Sequence, residues 1–176
     1  RLNAYQVNIL GVVMNDVDFP VAEVLEGIDA ARAFLGMKNG IAAFATDRDE
    51  SRQFLAAVVT FLAQRYAGDA PHGRIWNWIV GNEVNSHWFW SNLGPSTSEA
   101  FAIDYERTVR LTHQAVRRHS KNGRVFLSLE HHWNIAYPGG QEGQVFPGRP
   151  FLEHFARRAR SGGDYDWHLA FHPYPE

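Results

Sequence analysis

Residues 76–85 read WNWIVGNEVN, an apolar run that ends abruptly in an amide and a carboxylate. Tryptophan, isoleucine and valine in close succession are typical of a strand that is buried on both faces. The Gly81-Asn82 dipeptide then indicates the end of that strand. We therefore expect Asn82 and Glu83 to be presented at the point where a buried strand emerges.

Three further apolar runs alternate with amphipathic segments along the chain. Residues 20–48 fit the alternation less well, and we interpret them as an elaborated loop between the first strand and the first helix. The repeated unit is strand, helix, strand. The predicted strands are 5–14, 74–82, 124–132 and 166–174, and the predicted helices are 50–67, 97–119 and 150–161.

This alternation predicts an α/β fold, because strands that are joined by crossover helices pair in parallel. An open doubly wound sheet and a (β/α)8 TIM barrel both satisfy that rule. Polar and aromatic side chains recur after every predicted strand, and a site built from several strand ends is typical of the barrel. An open sheet usually adds a glycine-rich phosphate turn, which this sequence lacks. We therefore predict a TIM barrel.

The composition argues against several classes of function. A formal net charge of −2 over 176 residues gives no electrostatic footprint for nucleic acid or for an anionic membrane. The absence of cysteine excludes disulfides and thiolate chemistry but leaves the compartment open. No apolar stretch approaches the roughly 20 residues that a membrane span needs.

Glu83 is the strongest candidate for chemistry. A carboxyl group walled by aromatic side chains is partly desolvated, so it could hold a proton for donation to a leaving oxygen. The Asn82 amide could donate to a sugar hydroxyl, while Trp88 and Trp90 could stack on pyranose rings. The residue types also allow a plain turn, in which Glu83 caps the next segment and the tryptophans plug the rim.

The histidines at the C-terminal ends of the last two predicted strands allow another interpretation. Imidazole and carboxylate suit zinc or iron, so His131 or His132, together with His172, could serve a metal-dependent hydrolase. Their spacing matches no recognised ligand motif. We therefore expect these side chains to line a polar cleft, and we expect neither a metal nor a cofactor.

Three motifs in this order carry a family resemblance: WNWIVGNEVN, SLEHHWN at 128–134 and FHPYP at 171–175. The first resembles the fourth-strand motif of clan A glycoside hydrolases, and the last is similar to their sixth-strand His-x-Tyr motif. Together they are most similar to a bacterial glycosidase-like family. The resemblance implies a retaining double-displacement mechanism on a (β/α)8 barrel.

Transferred by residue, the resemblance makes Glu83 the acid/base catalyst and Asn82 the partner of the substrate 2-hydroxyl. It places Tyr174 near the nucleophile and His172 in the lining of a subsite. The substrate is then an oligosaccharide or a polysaccharide, which favours a secreted or periplasmic enzyme. The expected substrate-binding residues are Asn82, Trp88, Trp90, His132, Trp133, His172 and Tyr174.

The resemblance also identifies the four strands as the third to sixth of eight. Residues 1–176 would then be part of one barrel domain, and the remaining strands would come from the same parent protein. The nucleophile belongs to the seventh strand and would lie beyond residue 176, because neither Glu130 nor Glu176 follows its pattern. We expect this segment alone to be inactive, and a carbohydrate-binding barrel without catalysis is the alternative function.

Overall fold

The computed structural model describes residues 10–13, 15–16, 41–44, 46–67 and 73–174. Its strands are β1 (Leu10–Val13), β2 (Asn15–Asp16), β3 (Ile41–Ala42), β4 (Asn77–Val80), β5 (Arg124–Glu130) and β6 (Trp167–His172). Its α-helices are α1 (Asp49–Arg65), α2 (His87–Trp90), α3 (Ser98–His119) and α4 (Gly148–Ser161), with a 3₁₀ turn at Val84–Ser86.

Four of the strands form a parallel sheet in the spatial order β1, β4, β5, β6, and β2 pairs with β3 in antiparallel fashion. The predicted α/β class and the parallel pairing are therefore confirmed. The three predicted helices and the four predicted strands are present, with ends that differ by a few residues. Residues 5–9 and 14 of the first predicted strand, and most of 20–48, lie outside the described residues.

The sequence of β5 shows how the sheet divides its two faces. Successive side chains of a strand point to opposite faces. Val125, Leu127 and Leu129 are fully buried in the main apolar core. Ser128 and Glu130 therefore point to the other face, and Glu130 is the last residue of the strand. The alternation thus delivers a hydroxyl and a carboxylate to one side of the C-terminal end of the sheet.

Helix α3 supplies much of the core. Its start is fixed by Thr97, whose side chain accepts a hydrogen bond of 3.1 Å from the backbone N–H of Ala100. Phe101, Tyr105 and Val109 follow at four-residue spacing and are buried against the sheet. Burial of a side chain of this size stabilises the fold by about 1.5–3 kcal/mol. Burial of this apolar face therefore holds α3 against the sheet.

Within the described residues, the helices pack against one face of the sheet. The core that α1, α3 and α4 share takes alternate residues of the strands, such as Trp78 and Val80 of β4. Ile79 and Phe126, which point to the other face, do not belong to that core. Among the described residues, α1, α3 and α4 thus cover the same face of the sheet.

No helix in the described part of the chain combines the length and the apolar character that crossing a membrane requires.

Candidate functional site

A cleft of 360 Å³ lies beyond the C-terminal ends of β4, β5 and β6. Parallel strands bring their C-terminal ends to one edge of a sheet, so residues distant in sequence meet there. The cleft combines two carboxylates with an aromatic wall. Its lining residues are Glu83, Ser86, Phe89, Trp90, Glu130, His131, Tyr137 and Tyr174.

A tight turn after β4 places Glu83 in this cleft. Gly81 has a φ of +71°, and a Cβ at that position would lie 2.9 Å from Cγ1 of Val84. Glu83 has φ 43° and ψ 48°, and among the described residues it is the only non-glycine residue with a positive φ. Such a conformation costs on the order of 1–3 kcal/mol and occurs often at functional sites. The surrounding contacts must therefore hold the turn.

Two hydrogen bonds hold the turn in place. The backbone N–H of Glu83 donates to Oγ of Ser128 at 2.9 Å. The buried hydroxyl of Tyr105 on α3 donates to the carbonyl of Val80 at 2.5 Å. Both partners are buried, Ser128 on β5 and Tyr105 on α3, so the orientation of Glu83 depends on β5 and α3.

The carboxyl group of Glu83 is buried on most of its surface, with the side chain 11% exposed. Its Oε1 accepts a hydrogen bond of 2.5 Å from the Tyr174 hydroxyl and lies 3.1 Å from Nδ1 of His172. The hydrogen bond to Glu83 is the largest cause that raises the pKa of Tyr174, followed by burial and the neighbouring carboxylates. Tyr174 therefore remains a donor to Glu83. The position of Tyr174 relative to the nucleophile, which the resemblance implies, stays a prediction.

Glu130 is a cleft residue that was not predicted to belong to the site, as are Ser86, Phe89 and Tyr137. It is 4% exposed and lines the same cleft as Glu83. Its Oε1 accepts from the Asn85 amide at 2.8 Å, and its Oε2 accepts from the backbone N–H of His132 at 2.7 Å. Its position near the C-terminal end of the predicted strand 124–132 was the signal that could have identified it.

The two histidines after β5 gather around Glu130. Nδ1 of His132 lies 2.5 Å from Oε2 of Glu130, and Nδ1 of His131 lies 3.3 Å from the same oxygen. These three donor atoms lie within 4.8 Å of one another, so they could hold a divalent cation. Within the described residues His172 belongs to no such group, and its ring contacts Ser128 and Glu83.

Two of the aromatic residues that were predicted to bind substrate belong to the wall of the cleft. Trp90 and Tyr174 line the cleft, together with Phe89 and Tyr137, whose rings meet edge to face at 5.7 Å. Trp133 instead packs against the core, and its ring meets that of Phe171 at 6.1 Å.

The remaining predicted residues lie outside the lining of the cleft. Asn82 and Trp88 are half-buried, and neither is a lining residue. His132 and His172 act on the site through the two carboxylates that they contact. The structure thus brings Glu83, Trp90 and Tyr174 together and leaves Asn82, Trp88 and Trp133 outside the cleft.

The segment that follows Glu83 is helical and carries a buried histidine. The ring of His87 is fully buried between Phe101 at 4.6 Å and Phe146 at 5.1 Å. Its Nε2 lies 2.9 Å from the carbonyl oxygen of Gly143, so Nε2 carries the hydrogen. Burial lowers the pKa of His87 to about 4, although the hydrogen bond to Gly143 opposes this shift. His87 is therefore a neutral structural residue under the cleft.

Comparison with known proteins gives a family without an assigned function. The chain belongs to the family of unknown function DUF5722, whose family model matches residues 2–176. No curated protein and no solved structure matches the chain.

Proposed function

We propose that this chain is part of a retaining glycoside hydrolase that acts on an oligosaccharide or a polysaccharide, with Glu83 as the acid/base catalyst. One observation carries the proposal. A buried carboxyl group stands at the C-terminal end of a parallel strand, in a cleft with aromatic walls and a second carboxylate. Aromatic faces stack on sugar rings, and a carboxyl group in such a cleft can act as the general acid of glycosidic cleavage.

The proposed scaffold is a (β/α)8 barrel. Parallel order and helices on one face of the described sheet support it, since a barrel has all its helices outside. A doubly wound sheet would carry helices on both faces. In this proposal the remaining strands come from the parent protein.

The proposed reaction has two steps. In the first, Glu83 gives its proton to the glycosidic oxygen as the bond to the anomeric carbon breaks, and a second carboxylate forms the covalent glycosyl intermediate. In the second, Glu83 takes a proton from water, whose oxygen attacks the anomeric carbon and releases the nucleophile. The nucleophile is a glutamate of the parent protein beyond residue 176, about 5–5.5 Å from Glu83.

Glu130 has a supporting role in this proposal. Both of its oxygens accept hydrogen bonds, from Asn85 on one side and from His132 on the other. A nucleophile needs an oxygen that faces the anomeric carbon. Glu130 therefore holds the loop after β5 and adds negative charge that stabilises an oxocarbenium-like transition state.

The stereochemical course tests the proposed function. We expect the parent protein to release the product with the anomeric configuration of its substrate, because two displacements invert the centre twice. Proton NMR of the first product, recorded before mutarotation, measures this on a panel of glycans and 4-nitrophenyl glycosides. Release of the opposite anomer would contradict a retaining mechanism, and the lack of turnover on the whole panel would contradict the enzymatic function.

A metal-dependent hydrolase is the second candidate, favoured by the donor atoms of Glu130, His131 and His132. Under the glycoside hydrolase proposal, chelation of the parent protein with EDTA leaves turnover unchanged. Elemental analysis before and after chelation gives the metal content. Stoichiometric zinc or iron that is lost together with turnover, and a lower metal content in His131→Ala, would instead establish the second candidate.

A further inference from the structure

We propose that Ser128 and His172 form a relay that positions Glu83 and determines which oxygen of its carboxyl group carries the transferred proton. This inference rests on the proposed function of Glu83 as acid/base catalyst. Ser128 and His172 act through Glu83 and are positioning residues.

The relay is a closed ring of contacts between neighbouring strands. The backbone N–H of Glu83 donates to Oγ of Ser128 at 2.9 Å, and the same Oγ lies 3.1 Å from Nε2 of His172. Nδ1 of His172 lies 3.1 Å from Oε1 of Glu83, which closes the ring. Backbone and side chain of the same glutamate are thus held by one pair of residues.

One arrangement of hydrogen atoms satisfies all of these contacts, because a carboxylate oxygen can only accept and Nδ1 of His172 then donates to it. Oγ of Ser128 already accepts the N–H of Glu83, and its own hydrogen has Nε2 of His172 as its partner. With Nε2 as the acceptor, the neutral imidazole carries its hydrogen on Nδ1. Nδ1 then donates to Oε1 of Glu83. Ser128 therefore selects the tautomer of His172 that supports Glu83.

The two oxygens of Glu83 acquire different roles as a result. Oε1 receives two donors, His172 and Tyr174. Among the described residues no hydrogen bond reaches Oε2, and Glu83 lines the cleft. A proton bound to the carboxyl group is therefore favoured on Oε2, where a glycosidic oxygen can receive it.

The order Ser128, His172, Glu83 also resembles the triad of serine hydrolases, but access excludes that role. Ser128 is fully buried and does not line the cleft, so a carbonyl carbon has no path to its Oγ. A nucleophilic serine must reach the reacting atom. The relay therefore acts on the glutamate rather than on the substrate.

Nitrogen-15 NMR of the histidine rings tests the geometry without any substrate. At pH 7 we expect the parent protein to show His172 as the Nδ1–H tautomer, and Ser128→Ala to show a mixture of tautomers. His119 serves as an internal reference in both spectra. An Nε2–H tautomer in the wild type, or spectra of His172 that do not change in Ser128→Ala, would overturn the relay.

Kinetics on aryl glycosides of the parent protein test its role in catalysis. We expect Ser128→Ala to lower kcat about tenfold, as for the loss of a hydrogen bond to a charged group, with KM unchanged. The loss should be larger for substrates with poor leaving groups, which depend most on protonation, and the pH profile of kcat should change shape. Ser128→Thr, which keeps the hydroxyl, should recover most of the rate.

Ser51→Ala is the matched control. It also removes a buried serine hydroxyl, but one that lies in α1 and does not line the cleft. If Ser128→Ala and Ser51→Ala behave alike in rate, leaving-group dependence and pH profile, the relay is wrong while the proposed function stands. If the wild type turns over none of the substrates, the proposed function fails, and the NMR result still decides the tautomer.

Discussion

Replacement of Glu83 by glutamine is expected to lower turnover by about 10²- to 10⁴-fold, the usual contribution of a general acid or base. Glutamine keeps the size of the side chain and can still accept from Tyr174 and His172, but it cannot release a proton to a glycosidic oxygen. Sugar affinity should change little. Steady-state kinetics of the parent protein give the turnover, and isothermal titration with a substrate oligosaccharide gives the affinity.

The leaving group sharpens this test. A dinitrophenolate leaves without protonation, so Glu83→Gln should lose far less rate in the first step on dinitrophenyl glycosides than on alkyl glycosides. Glu142→Gln, a change at an exposed loop residue outside the cleft, is the matched control and should behave like the wild type. Full turnover in Glu83→Gln would exclude the acid/base role. Unchanged affinity without turnover in the wild type would favour a carbohydrate-binding barrel.

Acidification from pH 7 to pH 4 is expected to cost about 3 kcal/mol of unfolding free energy through His87 alone. Its pKa is lowered from 6.5 to about 4 in the folded state, so the unfolded chain takes up the proton first. The stabilisation is therefore complete above pH 6.5 and is lost as the pH falls toward 4. Urea unfolding followed by tryptophan fluorescence at a series of pH values measures it.

His87→Phe isolates this contribution. Phenylalanine keeps an aromatic ring between Phe101 and Phe146 but does not titrate, so its stability curve should be flatter by that amount between pH 6.5 and pH 4. His154→Phe, a change at a partly exposed position of α4, is the control and should keep the slope of the wild type. Parallel curves for the wild type and His87→Phe would show that the buried ring does not set the acid sensitivity.

The strands and helices were predictable because each carries its own local pattern. β5 contains the apolar run 125–127, and α3 repeats its apolar residues every four positions until the chain turns at Ser120. The place of Glu83 after a strand could also be predicted, since an apolar run and the Gly81-Asn82 dipeptide precede it. These features depend on residues that are close in sequence, and the spacing of apolar residues there indicates the secondary structure.

The partners of Glu83 were not predictable in the same way. Ser128 reaches it only through the register of β4 against β5, and His172 only through the register of β5 against β6. A shift of one residue in either pairing would turn those side chains to the opposite face. The helical form of residues 84–90 was missed as well; within this segment the ring of His87 packs against Phe101 of α3 and Phe146 of a later loop. Contacts that are distant in sequence leave no local pattern.

The left-handed backbone of Glu83 has an evolutionary consequence. Glycine and asparagine adopt that conformation at lower cost than glutamate. Substitutions there that remove the carboxylate can therefore make the chain more stable, and drift without selection for the chemistry should move position 83 toward those two residues. A descendant with a glycine at this position would identify a lineage that has given up the carboxylate in favour of stability.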